Sequence, residues 1–430
     1  MKRTYIKDLK DYIGKEVTID GFIQVIRNQG GIKFLLIRDI TGLVQIVILK
    51  TEKEVFDLIK ELTLESVVQI DGLVKEEKQA PGGFEIQAKK ITILSQAESE
   101  LPIPILEKKG GKETDAPIRF DWRWLDLRKE AKAKIIRTWT EFERGFRDYF
   151  EKNNYLQIYT PSFMGTASES GADAFEVKYF DRKAYLAQSP QFYKQMAMAA
   201  GFEKVFVTGP VFRAELSFTT RHMTEFTGLD FEISYIESHH DIMEEEEKLL
   251  VETFKRLNNK LDLNLEIPTI PFPKITMKEA KEKLAKRGIK SVKIFDLSSE
   301  EEVALSKMIK EETDHDFVFL IDWPVEGRPF YHMRHENNPR LTKSFDLLYK
   351  GLEVTTGAQR EHRPDVLEKQ AKEKDVDLES LRDYINFFRY GCPPHGGVGM
   401  GLGRLIQRIL NLPSVKEATF LPRDVKRLRP

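Results

Sequence analysis

The chain has 430 residues, of which 41% are apolar and 32% charged, and its formal net charge is −1. That length allows two or three domains with sizeable cores, and the near-neutral balance excludes a global basic field for recruiting nucleic acid, so any such contact must come from local patches. Cys392 is the one cysteine, which excludes an intramolecular disulfide and favours a reducing compartment.

The N-terminus, MKRTYIKDLKDYIGKEV, is too charged for a signal peptide. No apolar run approaches the roughly 18 residues of a membrane helix. The expectation is a cytoplasmic protein without a membrane partner.

Residues 1–98 read as short Val- and Ile-rich strands punctuated by Gly, with one helical pattern, KEVFDLIKEL. About five strands and one helix predict a small closed barrel of the OB type. Such barrels bind single-stranded nucleic acid on basic, aromatic surfaces. Arg27, Lys33, Phe34, Gln45 and Glu85 are the candidates; the plainer reading keeps Phe34 in the core.

Residues 99–128 hold several prolines and a Gly-Gly pair, which mark a linker or hinge. From about Lys129 to Lys152 apolar residues recur at helical spacing, and Asn153-Asn154 ends the pattern. A strand then leads to Pro161. Residues 165–195 predict a polar loop, two strands and a helix start, with Ser189-Pro190 as its cap. Gln191 and Lys194 fall one turn apart on one face of that helix.

Val205–Glu232, VFVTGPVFRAELSFTTRHMTEFTGLDFE, reads as two antiparallel strands around a polar loop. The loop carries Arg213, Glu215, Arg221 and His222. Guanidinium forks suit phosphate oxygens, although a salt-bridged hairpin would show the same arginines. Residues 239–260 predict a charged amphipathic helix. Residues 265–330 read as an insertion, with a further helix and the strand FVFLIDWP, and no chemistry is assigned to it.

Asp346, Glu353 and Arg360 follow on segments that read as antiparallel strands; two carboxylates there could share a divalent metal. The C-terminal stretch GCPPHGGVGMGLGRLIQRIL is a Gly-rich strand running into an apolar helix. Gly399, Gly401 and Gly403 permit close backbone approach, and Arg404 sits at the helix start.

Three of these stretches together resemble one family. FRAELSFTTRHMTEFTGLDFE resembles motif 2 of class II aminoacyl-tRNA synthetases of the aspartyl, asparaginyl and lysyl group. The Lys129–Pro161 helix, strand and proline resemble motif 1, and GMGLGR with the terminal PRD resembles motif 3. Within the group, QSPQFYKQ is similar to the aspartyl enzymes of the archaeal–eukaryotic branch. The resemblance implies an N-terminal anticodon-binding OB domain (1–98), a hinge (99–128) and a catalytic domain (129–430) on an antiparallel sheet flanked by helices. It implies a homodimer built through motif 1.

It also implies an ATP-dependent ligase that makes aspartyl-adenylate from L-aspartate and transfers the aspartyl group to tRNA(Asp). Arg213 would hold the α-phosphate, Glu215 and Phe226 the adenine, Arg221, His222 and Arg404 the outer phosphates. Met223, Gly401, Leu402 and Gly403 would complete the ATP site. Glu353, Thr356 and Asp346 would hold Mg2+. Lys194 and Arg360 would pair the aspartate side chain, and the resemblance gives asparaginyl enzymes no lysine at the first position. Glu169 would close a loop on the substrate, with Gln191 and Asp230 at its ammonium group.

In this family Phe34 stacks on the central anticodon base, Gln45 reads it and Glu85 lies alongside. The third anticodon position would fall to the turn around Gln24 and to Pro81, where relatives restricted to tRNA(Asp) tend to carry lysine. A proline offers no donor, which favours an enzyme that also charges tRNA(Asn). A strictly tRNA(Asp)-specific enzyme, an asparaginyl enzyme and a non-catalytic RNA-binding paralogue remain as alternatives.

Overall fold

In the computed structural model, residues 2–106, 111–166 and 174–430 are described. The chain divides into two compact units, Met1–Asp115 and Ala116–Pro430.

The first unit is a closed five-stranded barrel in the order β1-β2-β3-β5-β4. Its strands are β1 (Glu16–Gln29), β2 (Ile32–Asp39), β3 (Gly42–Leu49), β4 (Val67–Glu76) and β5 (Phe84–Ser95), with helix α1 (Lys53–Leu58) between β3 and β4. Alternation decides which residues fill it. Ile19, Ile23, Leu35, Ile37, Val44, Ile46, Ile70 and Ile86 are buried in one cluster, and the intervening residues face outward.

The second unit opens with α2 (Ala116–Asp121), α3 (Arg123–Asp126) and the long α4 (Glu130–Lys152). It continues through β6 (Leu156–Gln157), β7 (Phe163–Met164), β8 (Glu176–Tyr179), β9 (Arg182–Leu186), α5 (Gln191–Ala199), β10 (Lys204–Phe212), β11 (Glu225–Ser234) and α6 (His239–Leu261). Next come β12 (Lys274–Thr276), α7 (Met277–Lys286), α8 (Ser299–Thr313), β13 (Phe317–Pro324), β14 (Leu341–Tyr349) and β15 (Leu352–Gln359). The chain closes with α9 (Pro364–Glu373), α10 (Arg382–Arg389), β16 (His395–Gly401) and α11 (Leu402–Ile409).

Eight described strands form the main sheet, in the order β12-β13-β14-β15-β16-β11-β10-β6. Its six central strands pair antiparallel, but β12 lies parallel to β13 and β6 parallel to β10. The sheet is thus antiparallel through its centre and parallel at both edges. Neither edge pair is a hairpin: each edge strand reaches the sheet through a helical segment, which permits parallel pairing. Within the 265–330 segment, β12 and β13 extend this sheet.

Helices α4 and α6 cover one face. Phe142, Phe146 and Phe150 of α4 are buried with Leu249, Leu250 and Phe254 of α6 and with Leu229, Phe231 and Ile233 of β11. Phe150 stacks on Phe206 of β10 with centroids 4.6 Å apart. Burial of each such ring contributes on the order of 2–3 kcal/mol. Because Leu229, Phe231 and Ile233 face the helices, Asp230 and Glu232 must face the other side. After this covered face is built, Tyr159 and Phe163 remain exposed. Helix α5 starts at Gln191 with Pro190 as its N-cap, one residue later than the Ser189 cap expected, and Ser189 Oγ accepts from the Gln191 N–H at 3.3 Å.

One buried carboxyl breaks the apolar layer. Glu246 of α6 is fully buried facing the Thr355 hydroxyl of β15, and burial pushes it up to about 8 from 4.5. A raised carboxyl contributes its full stability below 4.5, where folded and unfolded chains are both protonated, and loses it as pH rises toward 8. Unfolding of Glu246→Gln should therefore show a stability advantage over the wild type that grows from pH 4.5 to 8. A difference that stays flat across this window would place the carboxyl in water.

Candidate active site

The uncovered face of the main sheet holds an open cleft lined by residues from β10, β11, β15, β16, α5 and α11. The loop between β10 and β11 supplies Arg213, Glu215, Arg221, His222 and Met223, and β11 supplies Phe226 and Asp230. The C-terminal strand and helix supply Gly399, Gly401, Gly403 and Arg404. These groups, up to 191 residues apart in sequence (404 − 213), are brought to one surface by the adjacency of β11, β16 and β15.

The floor is a buried charge ladder. Lys194 of α5 donates to Asp230 Oδ2 at 2.9 Å and to the Val398 carbonyl at 2.8 Å, and lies 3.2 Å from Glu232 Oε2. Glu232 in turn accepts from Arg360 Nε at 2.9 Å. Arg360 also donates to the Gly397 carbonyl at 2.8 Å and to His332 Nε2 at 3.1 Å. Burial would raise Glu232, but Arg360 and Lys194 hold it below the usual carboxylate range; burial wins for Asp230 and raises it. A Cβ on Gly397 would meet Glu232 Oε2 at 2.3 Å and the Phe231 carbonyl at 2.0 Å, so only glycine lets these carboxylates lie across β16.

This geometry places three of the expected residues. Lys194 spends its three N–H groups inside the protein and lies behind the cleft wall, whereas Arg360 lines the cleft. Asp230 lines the cleft and accepts from Lys194 through Oδ2. Gln191 donates from Nε2 to Gln195 Oε1 at 2.8 Å, which also accepts from Tyr384 at 2.8 Å. Gln195 then donates to His395 Nε2 at 3.0 Å, while His395 Nδ1–H donates to the Pro393 carbonyl at 2.8 Å. Burial lowers His395 to about 4, so the ring is neutral and this tautomer closes the chain.

At the other end, Glu353 lies 3.3 Å from Arg404 and accepts from Thr356 Oγ1 at 3.3 Å. Simple alternation would put residues 353 and 356 on opposite faces. A register shift in the β14–β15 ladder, where Leu347 meets Thr355 and Leu348 meets Glu353, leaves Val354 extra and restores both to the cleft side. Burial alone would raise Glu353, but Arg404, Arg328, Arg221 and Arg213 hold it low. Asp346, opposite Thr356, is pushed up to about 7 by burial and by Glu353, and pairs with Arg328 at 2.8 Å. Asp346 therefore stands behind the cleft wall, tied to a guanidinium. Burial, then Arg404 and Arg221, lower His222 to about 4, so it meets the cleft as a neutral ring. Arg213 lies 5.6 Å over the Phe226 ring and 3.8 Å from Glu215. Leu402 is fully buried in the core and does not line the cleft. Glu169 lies outside the described residues.

The segment to which no chemistry was assigned contributes three groups. Arg221 pairs with Glu302 and donates to Ser299 Oγ at 2.6 Å, both from α8, and Arg328 lines the cleft. No periodicity marks these residues. Glu232 and Tyr384 were also missed, although the Asp230–Glu232 spacing places both carboxylates on one strand face.

On the barrel, register places the nucleic-acid candidates. Phe34 is opposite Arg27 on β1 and Val47 on β3, and Leu36, two residues on, is opposite Gln45. Gln45 pairs with Glu85 on β5 and donates to its carboxylate at 3.0 Å. Arg27, Phe34, Gln45 and Glu85 thus share one outer face, with Phe34 half-buried. Lys33 does not: it is buried, donates to the Phe56 carbonyl at 2.5 Å and sits over that ring, because its neighbour Phe34 takes the outward position. Gln24 occupies a β-bulge in β1 rather than a turn. Pro81 is exposed at the start of the short turn Pro81–Gly83 that leads into β5.

Lys194→Leu should leave Asp230 and Glu232 short of a buried cation and cost about 3–5 kcal/mol of stability, measured by denaturant unfolding. A cost below about 1 kcal/mol, the range of exposed pairs, would contradict the ladder.

Comparison with known proteins gives the family of the chain. The family model described as tRNA synthetases class II (D, K and N) matches residues 115–425, and an OB-fold nucleic acid binding domain matches residues 17–94. The chain is 40% identical to the aspartate–tRNA(Asp/Asn) ligase of Methanopyrus kandleri, over all of both chains. It is also 40% identical to the aspartate–tRNA(Asp) ligase of Pyrococcus abyssi, over 97% of both. The crystal structure of asparaginyl-tRNA synthetase from Pyrococcus horikoshii with asparaginyl-adenylate superposes with a TM-score of 0.92 at 32% identity, covering both chains fully. Among the described residues no helix is long and apolar enough to cross a membrane. With the arginine-rich loop, the glycine strand and Arg404 meeting on one sheet face, and with an OB-type match to the N-terminal barrel, the chain belongs to the class II tRNA synthetases of the D, K and N group.

Proposed function

We propose that this protein is an aspartate–tRNA ligase that charges both tRNA(Asp) and tRNA(Asn). The observation that carries the amino-acid assignment is Arg360, a guanidinium lining the cleft and backed by the Lys194–Glu232 pair. Glu232, His332 and the Gly397 carbonyl take four of its five N–H groups, and an aspartate side chain would accept the fifth in a charge-assisted bond. Asparagine offers a neutral amide oxygen, a weaker acceptor for that N–H than a carboxylate.

The reaction has two steps. An aspartate α-carboxylate oxygen attacks the α-phosphorus of ATP, the bond to the bridging oxygen breaks, and diphosphate leaves. A ribose hydroxyl of the tRNA then attacks the acyl carbonyl and AMP leaves. The carboxylate is ionised at neutral pH, so the first step needs alignment and charge neutralisation rather than a base. Arg213 stacks near Phe226 at the mouth of the β10–β11 loop, a position suited to the α-phosphate, while Arg221 and Arg404 face the outer phosphates. Gln191, its amide oriented by Gln195, turns towards the amino-acid end.

The donor set also fits Mg2+. Glu353 and the Thr356 hydroxyl are hard oxygen donors on one face, and burial together with the charge of Glu353 raises Asp346, a repulsion that a divalent ion would relieve. No group of three or more His, Cys, Asp or Glu among the described residues is arranged for a metal, so phosphate oxygens would complete the shell. When bound, the ion would neutralise phosphate charge.

Amino-acid-dependent ATP–pyrophosphate exchange tests the first assignment. Aspartate should be preferred over asparagine by about a hundredfold or more; equal exchange would refute it. The two relatives compared above differ in whether their names include Asn at the same 40% identity, so Pro81 carries the second assignment. It is exposed beside the outward face of the barrel and has no N–H to read a base. Wild-type catalytic efficiencies on the two tRNAs should differ by less than about a hundredfold, roughly 2.7 kcal/mol, and Pro81→Lys should widen the ratio. A wild-type preference beyond that limit would show a restricted enzyme.

A further inference from the structure

The first turn of α8 meets the phosphate end of the cleft. Ser298 caps the helix and Glu301 completes a capping box, which fixes where Ser299 and Glu302 stand. Arg221 NH1 donates to Ser299 Oγ at 2.6 Å and to Glu302 Oε1 at 3.3 Å, and its NH2 donates to Glu302 Oε2. Glu302 Oε2 also accepts from the backbone N–H of Glu353 at 3.3 Å. The circuit closes through Arg404, which donates from Nε to the Arg221 carbonyl at 3.3 Å and from NH1 to the Glu353 carbonyl at 3.0 Å. One buried carboxylate thus joins the β10–β11 loop to the start of β15.

A guanidinium has five N–H groups. Glu302 takes two and Ser299 one, which leaves two for a ligand, and Arg221 lines the cleft. Glu302 therefore holds one edge of the fork without covering the rest. It is also anchored by Glu353, so it cannot swing away as a releasing latch would. We infer that Glu302 is a positioning residue for ATP: it presets the direction of Arg221 and locks it in register with Glu353, so that both meet the triphosphate without rearranging. This inference rests on the proposed function, since it assigns a triphosphate to this end of the cleft.

The test is ATP–pyrophosphate exchange with wild type, Glu302→Ala, Glu302→Gln, Glu302→Asp, Arg221→Ala and the Glu302→Ala/Arg221→Ala pair. Glu302→Ala should raise KM for ATP about tenfold and change KM for aspartate less than about twofold. Glu302→Asp should recover most of that loss. Glu302→Gln keeps the volume and one acceptor for Glu353, and should fall between. In the Arg221→Ala background the alanine at 302 should add less than about twofold, because a residue that acts through another has no effect once that other is gone. Multiplying effects in the pair, or a wild-type KM for ATP in Glu302→Gln, would overturn the inference. Exchange driven by asparagine instead of aspartate would overturn the proposed specificity alone, since KM for ATP is read with whichever amino acid drives exchange.

Discussion

The ladder Asp230–Lys194–Glu232–Arg360 is the constraint from which the rest of the catalytic unit follows. Four ionised or ionisable groups lie in a sheet interior where isolated charge is prohibitively costly. They are tolerated because each carries an opposite partner and because the backbone carbonyls of Gly397 and Val398 and the His332 ring accept further N–H groups. That arrangement demands β16 next to β11, since no side chain longer than hydrogen fits at Gly397. It also demands α5 beneath the strands to deliver Lys194. Replacing such a cluster with apolar residues would often be neutral for stability, so its retention here is understood through the guanidinium it presents to the cleft.

The far end of the cleft obeys a different logic. There Arg213, Arg221 and Arg404 line the cleft, each beside one acid, Glu215, Glu302 and Glu353, and three guanidiniums on one surface suit an anion. Glu353 stays ionised in this field, while Asp346, one strand away, is driven towards protonation despite Arg328. One carboxylate is ready for a ligand and the other is held in reserve behind the wall. The two ends differ because β15 carries Glu353 near its start and Arg360 just past its end, so a single strand links both ends of the cleft.

The barrel uses alternation for the same purpose. One parity of β2 fills the core with Leu35 and Ile37, and the other presents Phe34 outward beside Arg27 and Gln45. A half-buried aromatic bordered by polar groups is a platform on which a base can stack. Lys33 shows how strict the rule is: a lysine at an inward position lays its stem in the core and satisfies its ammonium on a carbonyl.

The sequence by itself determined the class of the fold and much of the site. The period of β11 separates Phe231 from Asp230 and Glu232, the Gly-rich run before Arg404 requires close backbone approach, and the arginine loop calls for an anion. These are local signals, and local sterics and periodicity are what a sequence displays directly. Tertiary structure alone decided three things. It showed that Lys194 serves Asp230 and Glu232 while Arg360 faces the cleft, because charge pairing depends on which strands are neighbours. It placed Glu353 with Thr356 through a one-residue bulge, which inverts the parity that alternation predicts. It brought Glu302 and Arg328 to the phosphate end from a stretch with no motif, since a helix that extends a sheet carries no local mark of what its first turn will touch.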